Sequence, residues 1–262
     1  MDDVSAVAYY REVIETLQLG GVHFLVGGTY SLEKHAGIQR STKDLDLFLR
    51  RESIERASRS LSARGFDVDL AHPHWLAKAV RDGRQVDLIF AGGNGLVQVD
   101  EEWFTHGVPD VVVDLPVQLC PAEEMIWSKS FVMERERFDG ADVLHIIRES
   151  AERLDWQRLL RRFDIHAGVL LAHLYLFRFA YPSEARRIPR WVLDAARQQS
   201  EGTGPALGRL CRGTLLSRSQ YLKDVTDWGY LDARLPPTGS MTREQIAEWT
   251  AEIVDPEADD SL

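Results

Sequence analysis

The sequence predicts an α+β protein, with a small mixed β-sheet and flanking helices up to about residue 120 and a helical region after it. Three patterns lead to this prediction. Short apolar runs bounded by turn residues recur in the first 120 residues. Segments with apolar residues at three- and four-residue spacing lie between them. Beyond residue 155 the helical spacing dominates. The chain has 262 residues, 44% hydrophobic and 27% charged, which is enough for a sizeable core.

The first strand is predicted at residues 22–26, where β-branched and aromatic residues form a short apolar run. Gly27 and Gly28 end it, and Thr29 is expected to cap the helix that follows. Paired glycines let a ligand approach the backbone because no Cβ stands in the way. A helix N-terminus behind them presents free N–H groups to an anion such as phosphate.

A second strand, predicted at residues 45–49, carries the residues with the clearest chemistry. Its leucines alternate toward the core, which leaves Asp44 and Asp46 together on the other side. Two such carboxylates repel each other unless a cation lies between them, and Mg²⁺ is usually held by one or two carboxylates with substrate phosphates. Arg40 and Thr42, just upstream, are candidate donors to a triphosphate. A solvated strand edge is the alternative for the two acids.

Two later strands each offer a further carboxylate. A turn signal at residues 81–84 precedes a strand at residues 85–90, in which Asp87 alternates with apolar neighbours. Another strand, at residues 66–70, carries Asp69 but lacks a preceding glycine turn. Asp87 is therefore preferred as the third acid, and Asp69 is the alternative if Asp87 faces away.

The remaining elements follow from the spacing of apolar residues and from start and stop signals. Thr242 and Gln245 have the spacing of a capping box at the start of the last helix. The predicted helices are Val4–Leu19, 53–64, a helix opened by Pro121, Trp156–Phe163, 165–179, 191–197 and 242–254, and short strands are predicted at 110–113 and 116–119.

The Gly-Gly turn, the short helix and the run RSTKDLDLF together resemble the polymerase-β-type nucleotidyltransferase superfamily over residues 20–90. The resemblance implies transfer of a nucleoside monophosphate from an NTP to an acceptor hydroxyl, with release of pyrophosphate. It implies two Mg²⁺ ions, with Mn²⁺ as an alternative, held by Asp44, Asp46 and Asp87. Asp87 would also accept the proton of the attacking hydroxyl. The phosphate-binding residues it implies are Gly27, Gly28, Thr29, Arg40 and Thr42.

A second stretch, EEMIWSKSFVMERERFDGADVL, is similar to the helical element of abortive-infection-type nucleotidyltransferases, including toxin members. Lys129 matches the lysine of that pattern, and Asp139 and Asp142 match its two acids. Asp139 is also expected to cap the helix that follows it. The resemblance implies that Lys129 neutralises triphosphate charge or assists the departure of pyrophosphate. The alternative is an ion-paired face between two helices, with Arg135 and Arg137 at the surface or paired with aspartates.

The predicted organisation is a catalytic domain at 1–120, a helical domain at 121–254 and a disordered acidic tail at 255–262. Two distant cysteines, Cys120 and Cys211, lack metal-ligand spacing and favour a reducing compartment. No apolar run approaches the ~18 residues of a membrane span. The expected location is the cytoplasm, with no membrane partner.

The acceptor is left open at this point. The formal net charge of −10 argues against a general nucleic-acid binder, yet residues 148–197 hold ten arginines and six acids, a local charge of +4. A small molecule such as an antibiotic, a tRNA and a protein are all compatible acceptors, and an antitoxin-type partner fits the toxin resemblance. A catalytically silent protein that binds a nucleotide or a partner on the same fold is the alternative function.

Overall fold

The computed structural model of the chain describes residues 4–39, 44–201 and 208–251. These residues form an α+β fold with a helical C-terminal region, as predicted. The strands are β1 (Leu25–Val26), β2 (Leu45–Phe48), β3 (Asp67–His72), β4 (Leu76–Arg81), β5 (Arg84–Ile89), β6 (Val108–Val112), β7 (Leu115–Leu119), β8 (Leu210–Cys211) and β9 (Leu231–Asp232). The helices are α1 (Val4–Leu19), α2 (Gly28–Ala36), α3 (Ile54–Ser62), α4 (Glu101–Thr105), α5 (Ala122–Lys129), α6 (Gly140–Ser150), α7 (Trp156–Phe163), α8 (Ala167–Ala180), α9 (Arg190–Glu201), α10 (Leu222–Thr226) and α11 (Arg243–Ala251).

Seven strands form one mixed sheet in the order β3-β4-β5-β2-β1-β7-β6. The pairs β2–β5 and β1–β7 are parallel, and the other neighbours in this sheet are antiparallel. Antiparallel hairpins therefore form both edges, while the middle of the sheet is built from strands distant in sequence. This topology brings β2 and β5 side by side, which matters for the site.

The two faces of the sheet have different coverings. Helices α1 and α3 cover one face, where Val13 and Ile14 share a core with Leu45 and Leu47 of β2. The other face contributes Leu25 to a second core, which it shares with helices α2 and α5 to α9. Because side chains alternate along a strand, the polar positions of β2 face this second side.

Helix α7 is joined to the rest of the fold by buried ion pairs. Arg158 donates to both carboxylate oxygens of Glu124 at 3.0 Å and also bonds Glu123. Arg162 donates to Asp100 at 2.6 and 2.8 Å and lies 5.2 Å from the ring centroid of Trp127. Removing one member of such a buried network leaves the other charge unpaired, which is strongly destabilising.

The C-terminal segment returns to the loops of the N-terminal half. Trp249 of α11 packs against His72, with ring centroids 5.4 Å apart, and a Cβ on Gly93 would lie 2.5 Å from the Trp249 ring. The predicted capping box is present. Gln245 N–H donates to the Thr242 hydroxyl at 3.2 Å, and Thr242 N–H donates to the Gln245 side chain at 2.9 Å. The division of the chain into a catalytic domain at 1–120 and a helical domain at 121–254 stays a prediction.

Several local predictions were wrong. Thr29 does not cap α2, because the helix already begins at Gly28 and its N-cap residue, Gly27, makes no side-chain cap hydrogen bond. Asp139 occupies the N-cap position of α6, but its carboxylate bonds basic side chains instead of the helix. The parallel pair β8–β9 was not predicted, since each strand has only two residues. The predicted acidic tail lies outside the described residues.

One stretch in the described part of the chain, Trp156–Ala180, is long and apolar enough to cross a membrane by length and composition, contrary to the sequence prediction that no run approaches that length. It consists of α7 and α8, which are separated by Asp164 with φ 42° and a short 3₁₀ turn. Leu170, Leu174 and Phe177 are fully buried in the second core. Here α8 serves as a core helix.

Candidate active site

Asp46 and Asp87 are direct neighbours across two parallel strands. They are register partners between β2 and β5, so their Cα atoms are separated by about one strand spacing, ~4.8 Å. Both are half-buried, while the flanking Leu45 and Leu47 are fully buried on the opposite face. The sequence prediction that Asp87 shares a face with Asp46 is consistent with this register.

Asp44 and Asp69 occupy different surroundings. Asp44 precedes β2 and is exposed, and its charge raises the pKa of both Asp46 and Asp87. Asp69 lies on the edge strand β3, three strands from β2, or about 14 Å from Asp46. Lys78 of β4 stands between Asp69 and Asp87 in register. Asp87 is therefore the acid next to Asp46, and Asp69 is too distant to replace it.

The glycine turn lies against the Asp46 carboxylate. Gly27 N–H donates to the Asp46 carbonyl at 2.9 Å. Gly28 has φ +53°, and a Cβ there would lie 2.0 Å from Asp46 Oδ2. Only glycine combines this backbone conformation with so close an approach. The turn thus places the N-terminus of α2, with its partial positive charge, beside a carboxylate.

The acids of the site are electrostatically crowded. Burial raises the pKa of Asp46, the nearby Lys129 opposes this, and Asp44 adds to it. Burial, the Asp46 charge and the Asp44 charge together raise the pKa of Asp87 to about 6, and Lys78 opposes them. A buried carboxylate whose pKa is raised by neighbouring carboxylates favours a nearby cation or a bound proton.

Lys129 belongs to a charged cluster beside the acids. Its ammonium donates to Asp139 and to Asp142, each at 2.9 Å, and the three side chains are largely buried. Arg137 donates to both oxygens of Asp139 at 2.9 Å while 68% of its side chain stays exposed. Burial acts against ionisation of Asp139, but Arg137 and Lys129 hold its pKa below the usual range. Lys129, Arg137 and the two aspartates therefore form ion pairs, as the alternative prediction for this stretch expected.

Lys129 and Arg137 also act on Asp46. The charge of each lowers the pKa of Asp46, so both lie close enough to influence that carboxylate. The Asp46 charge in turn supports the protonated form of Arg137, after the Asp139 hydrogen bonds. Sequence reasoning placed Arg137 at the surface or paired with an aspartate, and its pairing with Asp139 is observed, but it did not consider Lys78. The alternation of the strand at residues 75–80 and its pairing with the strand at residues 85–90 could have indicated Lys78.

The carboxylates of the site suit a divalent cation that is only partly coordinated by protein. Among residues 4–39, 44–201 and 208–251, no three or more His, Cys, Asp or Glu side chains form a group that could hold a metal ion. A complete cage of Asp44, Asp46 and Asp87 is therefore not formed. Mg²⁺ commonly uses one or two carboxylates with phosphates and water. The Asp46–Asp87 pair, in which both pKa values are raised and which adjoins the glycine turn, fits that mode.

The two remaining predicted phosphate contacts, Arg40 and Thr42, lie outside the described residues. The described part of the site therefore contains Gly27, Gly28, Thr29, the three acids and Lys129. Thr29 follows Gly28 in the first turn of α2, where its backbone N–H is one of the helix donors without an intrahelical acceptor.

Comparisons with known proteins give distant structural likenesses. No family model matches the chain, and no curated protein matches its sequence. The antibiotic-resistance factor ANT(2'')-Ia is similar at 16% identity over 70% of this chain and 94% of that one, with a TM-score of 0.39. The lincosamide antibiotic adenylyltransferase LnuA, bound to lincomycin, gives 12% identity over 54% and 94%, with a TM-score of 0.39. JHP933 from Helicobacter pylori gives 11% over 75% and 89%, with a TM-score of 0.32. At these TM-scores the likenesses carry no argument about activity, and the superfamily interpretation rests on the sequence motif.

Proposed function

We propose that this chain is a metal-dependent nucleotidyltransferase, which moves a nucleoside monophosphate from an NTP to an acceptor hydroxyl and releases pyrophosphate. The observation that carries the proposal is the contact geometry at Asp46. It stands in register with Asp87, and the glycine at the start of α2 approaches its carboxylate so closely that a Cβ would lie 2.0 Å away.

The residues have separable roles in this proposal. Asp46 and Asp87 would hold a divalent cation, with Asp44 at the entrance. When bound, the cation lowers the pKa of the acceptor hydroxyl and neutralises phosphate charge. The N-terminus of α2 at Gly28 binds a phosphate of the NTP through backbone N–H groups. Lys129 supplies positive charge beside Asp46 for the negative charge that develops on the leaving group.

The transfer of the nucleoside monophosphate needs no oxidant or reductant. The acceptor oxygen forms a bond to the α-phosphorus of the NTP, and the bond from that phosphorus to the pyrophosphate oxygen breaks. The hydroxyl proton passes to Asp87 and from there to solvent. Arg137, exposed beside this cluster, can pair with a phosphate.

The proposal is tested with labelled NTPs, Mg²⁺ and a mixture of tRNA, cell protein and aminoglycosides. The wild-type protein is expected to release pyrophosphate and label one acceptor class, and Asp46→Asn is expected to reduce turnover at least 100-fold. Asp67→Asn, an exposed acid on the edge strand β3, removes the same charge and should leave turnover within twofold. Equal turnover of Asp46→Asn and wild type would refute the proposal. No label on any acceptor would favour the catalytically silent alternative.

A further inference from the structure

A basic cleft lies in the helical region, away from the acids of the candidate site. It has a volume of about 770 Å³ and is formed by the end of α8, the following 3₁₀ turn and the start of α9. Four arginines line it, and the one acid among its lining residues is Asp194. The arginines are Arg178, Arg186, Arg190 and Arg197. We call this surface the arginine cleft.

The arginines of the cleft differ from most of the others in this protein. All four are exposed, and within the described part of the chain no carboxylate lies within 4.0 Å of their guanidinium nitrogens. Arg187, in the same 3₁₀ turn, pairs with both Glu152 and Glu184. Arg158 and Arg162 are likewise paired with acids. In a chain with a net charge of −10, four arginines without ion pairs around one cleft form a site for an anionic ligand.

One exposed aromatic side chain lines the cleft together with these arginines. Tyr175 is 56% exposed and precedes Arg178 by three residues, so the two share a face of α8. Cationic groups that follow a phosphate backbone, interleaved with aromatic rings on which bases stack, are the pattern of single-stranded nucleic-acid binding.

The same helix connects the cleft with the charged cluster of the candidate site. His173 of α8 stacks on Phe138, with ring centroids 6.3 Å apart, and Phe138 lies between Arg137 and Asp139 in the chain. Arg178 follows His173 by five residues, about 7.5 Å along the helix axis. A polymer strand bound in the cleft could therefore extend along α8 to this cluster.

We propose that the arginine cleft binds a single-stranded polynucleotide, and that this strand carries the hydroxyl presented to Asp46 and Asp87. Guanidinium groups pair with its phosphates, and Tyr175 stacks on a base. The acceptor role rests on the proposed function, but binding by the cleft can be measured without it. An acidic protein would satisfy the arginines but would leave the stacking surface unused.

Binding is measured by fluorescence anisotropy on the full chain, in EDTA and without NTP, with fluorescein-labelled 20-nucleotide RNA and DNA strands. The test variant is Arg178→Gln/Arg190→Gln. The matched control is Arg59→Gln/Arg64→Gln, which removes the same charge from exposed positions at and just beyond α3, on the other face of the sheet. Both variants are checked for a wild-type thermal transition.

The cleft variant should bind the strands at least tenfold more weakly, and the control should stay within twofold of wild type. Each phosphate contact to a single strand contributes about −0.7 to the slope of log affinity against log salt. Loss of two contacts should therefore reduce that slope by about 1.4. A stronger loss with RNA than with DNA would add 2′-hydroxyl recognition, and equal losses would assign recognition to the shared phosphates and bases.

Three results would overturn the inference: no binding of either strand by the wild-type protein at low salt, equal loss in the cleft and control variants, or competition by polyglutamate as effective as that by unlabelled RNA. If the wild-type protein binds the strands through the cleft but transfers no nucleotide, the proposed function is refuted while the binding site stands.

Discussion

Replacement of Asp87 by asparagine should stabilise the protein while abolishing the proposed nucleotidyl transfer. The side chain keeps its size, but it no longer adds a negative charge to Asp46 and Asp44. In the folded protein, burial and those two charges raise the pKa of Asp87 from 3.8 to about 6. Above pH 6 the folded state therefore holds an ionised carboxylate in surroundings that favour its neutral form.

The size of the effect follows from the pKa shift. A change of roughly two pKa units corresponds to about 3 kcal/mol of lost stability above pH 6. Asp87 is only half-buried, and solvent screening reduces this to about 1–2 kcal/mol. Because the folded pKa is the higher one, wild-type stability is fully present below pH 3.8 and falls as the pH rises to 6. Asp87→Asn does not undergo this loss.

The assay is thermal unfolding in EDTA at pH 7.5 and at pH 5. At pH 7.5 Asp87→Asn should unfold about 2–8 °C above wild type, given about 2–4 °C per kcal/mol for a chain of this size. At pH 5 the advantage should shrink to roughly half, because part of the titration has been reversed. Asp67→Asn, which removes an exposed acid of β3, should shift the transition by less than about 1 °C at either pH.

The reasoning would be refuted if Asp87→Asn unfolded below wild type at pH 7.5, or if its advantage were the same at both pH values. Mg²⁺ with an NTP should stabilise wild type more than Asp87→Asn, since a ligand that binds only the folded state raises its stability. Equal gains in both proteins would show that Asp87 does not contribute to that binding.

Two further substitutions test the glycine turn and the buried network. Gly28→Ala should reduce turnover at least 100-fold, because its Cβ would lie 2.0 Å from Asp46 Oδ2. Gly37 has a similar φ of +66° and its Cβ would meet nothing within 4 Å, so Gly37→Ala should keep activity and show only backbone strain of about 1 kcal/mol in thermal unfolding. Equal turnover in the two variants would contradict the proposed role of the glycine turn. Arg158→Met should lower the free energy of unfolding, measured in urea, by about 3–5 kcal/mol, because Glu124 would remain buried without that partner. A loss under 1 kcal/mol would show that Arg162 alone satisfies the Glu124 carboxylate.

Local patterns were sufficient to predict the elements that carry the candidate site. The alternation of leucines with Asp44 and Asp46 placed the two acids opposite the core, and the structure has Leu45 and Leu47 fully buried. The C-terminus of α2 was also predictable, because Gly37 adopts the left-handed conformation that ends a helix and donates to Glu33 at 2.8 Å.

Contacts between distant segments were harder to predict. The pairing of β2 with β5 depends on sheet order, for which a single sequence gives no register. The influence of Arg137 on Asp46 depends on how the segment before α6 lies relative to β2, and the sequence indicated only that Arg137 would be at the surface or paired with an aspartate. Thr29 was assigned as a cap from its residue type, but α2 begins one residue before it, at Gly28. The arginine cleft arises from the turn between α8 and α9, whereas the sequence indicated only a basic region.

The most direct test of the central claim is to locate a divalent cation in the protein. Crystals grown with Mn²⁺ and a non-hydrolysable NTP analogue should show an anomalous peak in contact with the carboxylates of Asp46 and Asp87, with the triphosphate at the N-terminus of α2. A peak elsewhere, or nucleotide bound without any metal at these two carboxylates, would contradict the account.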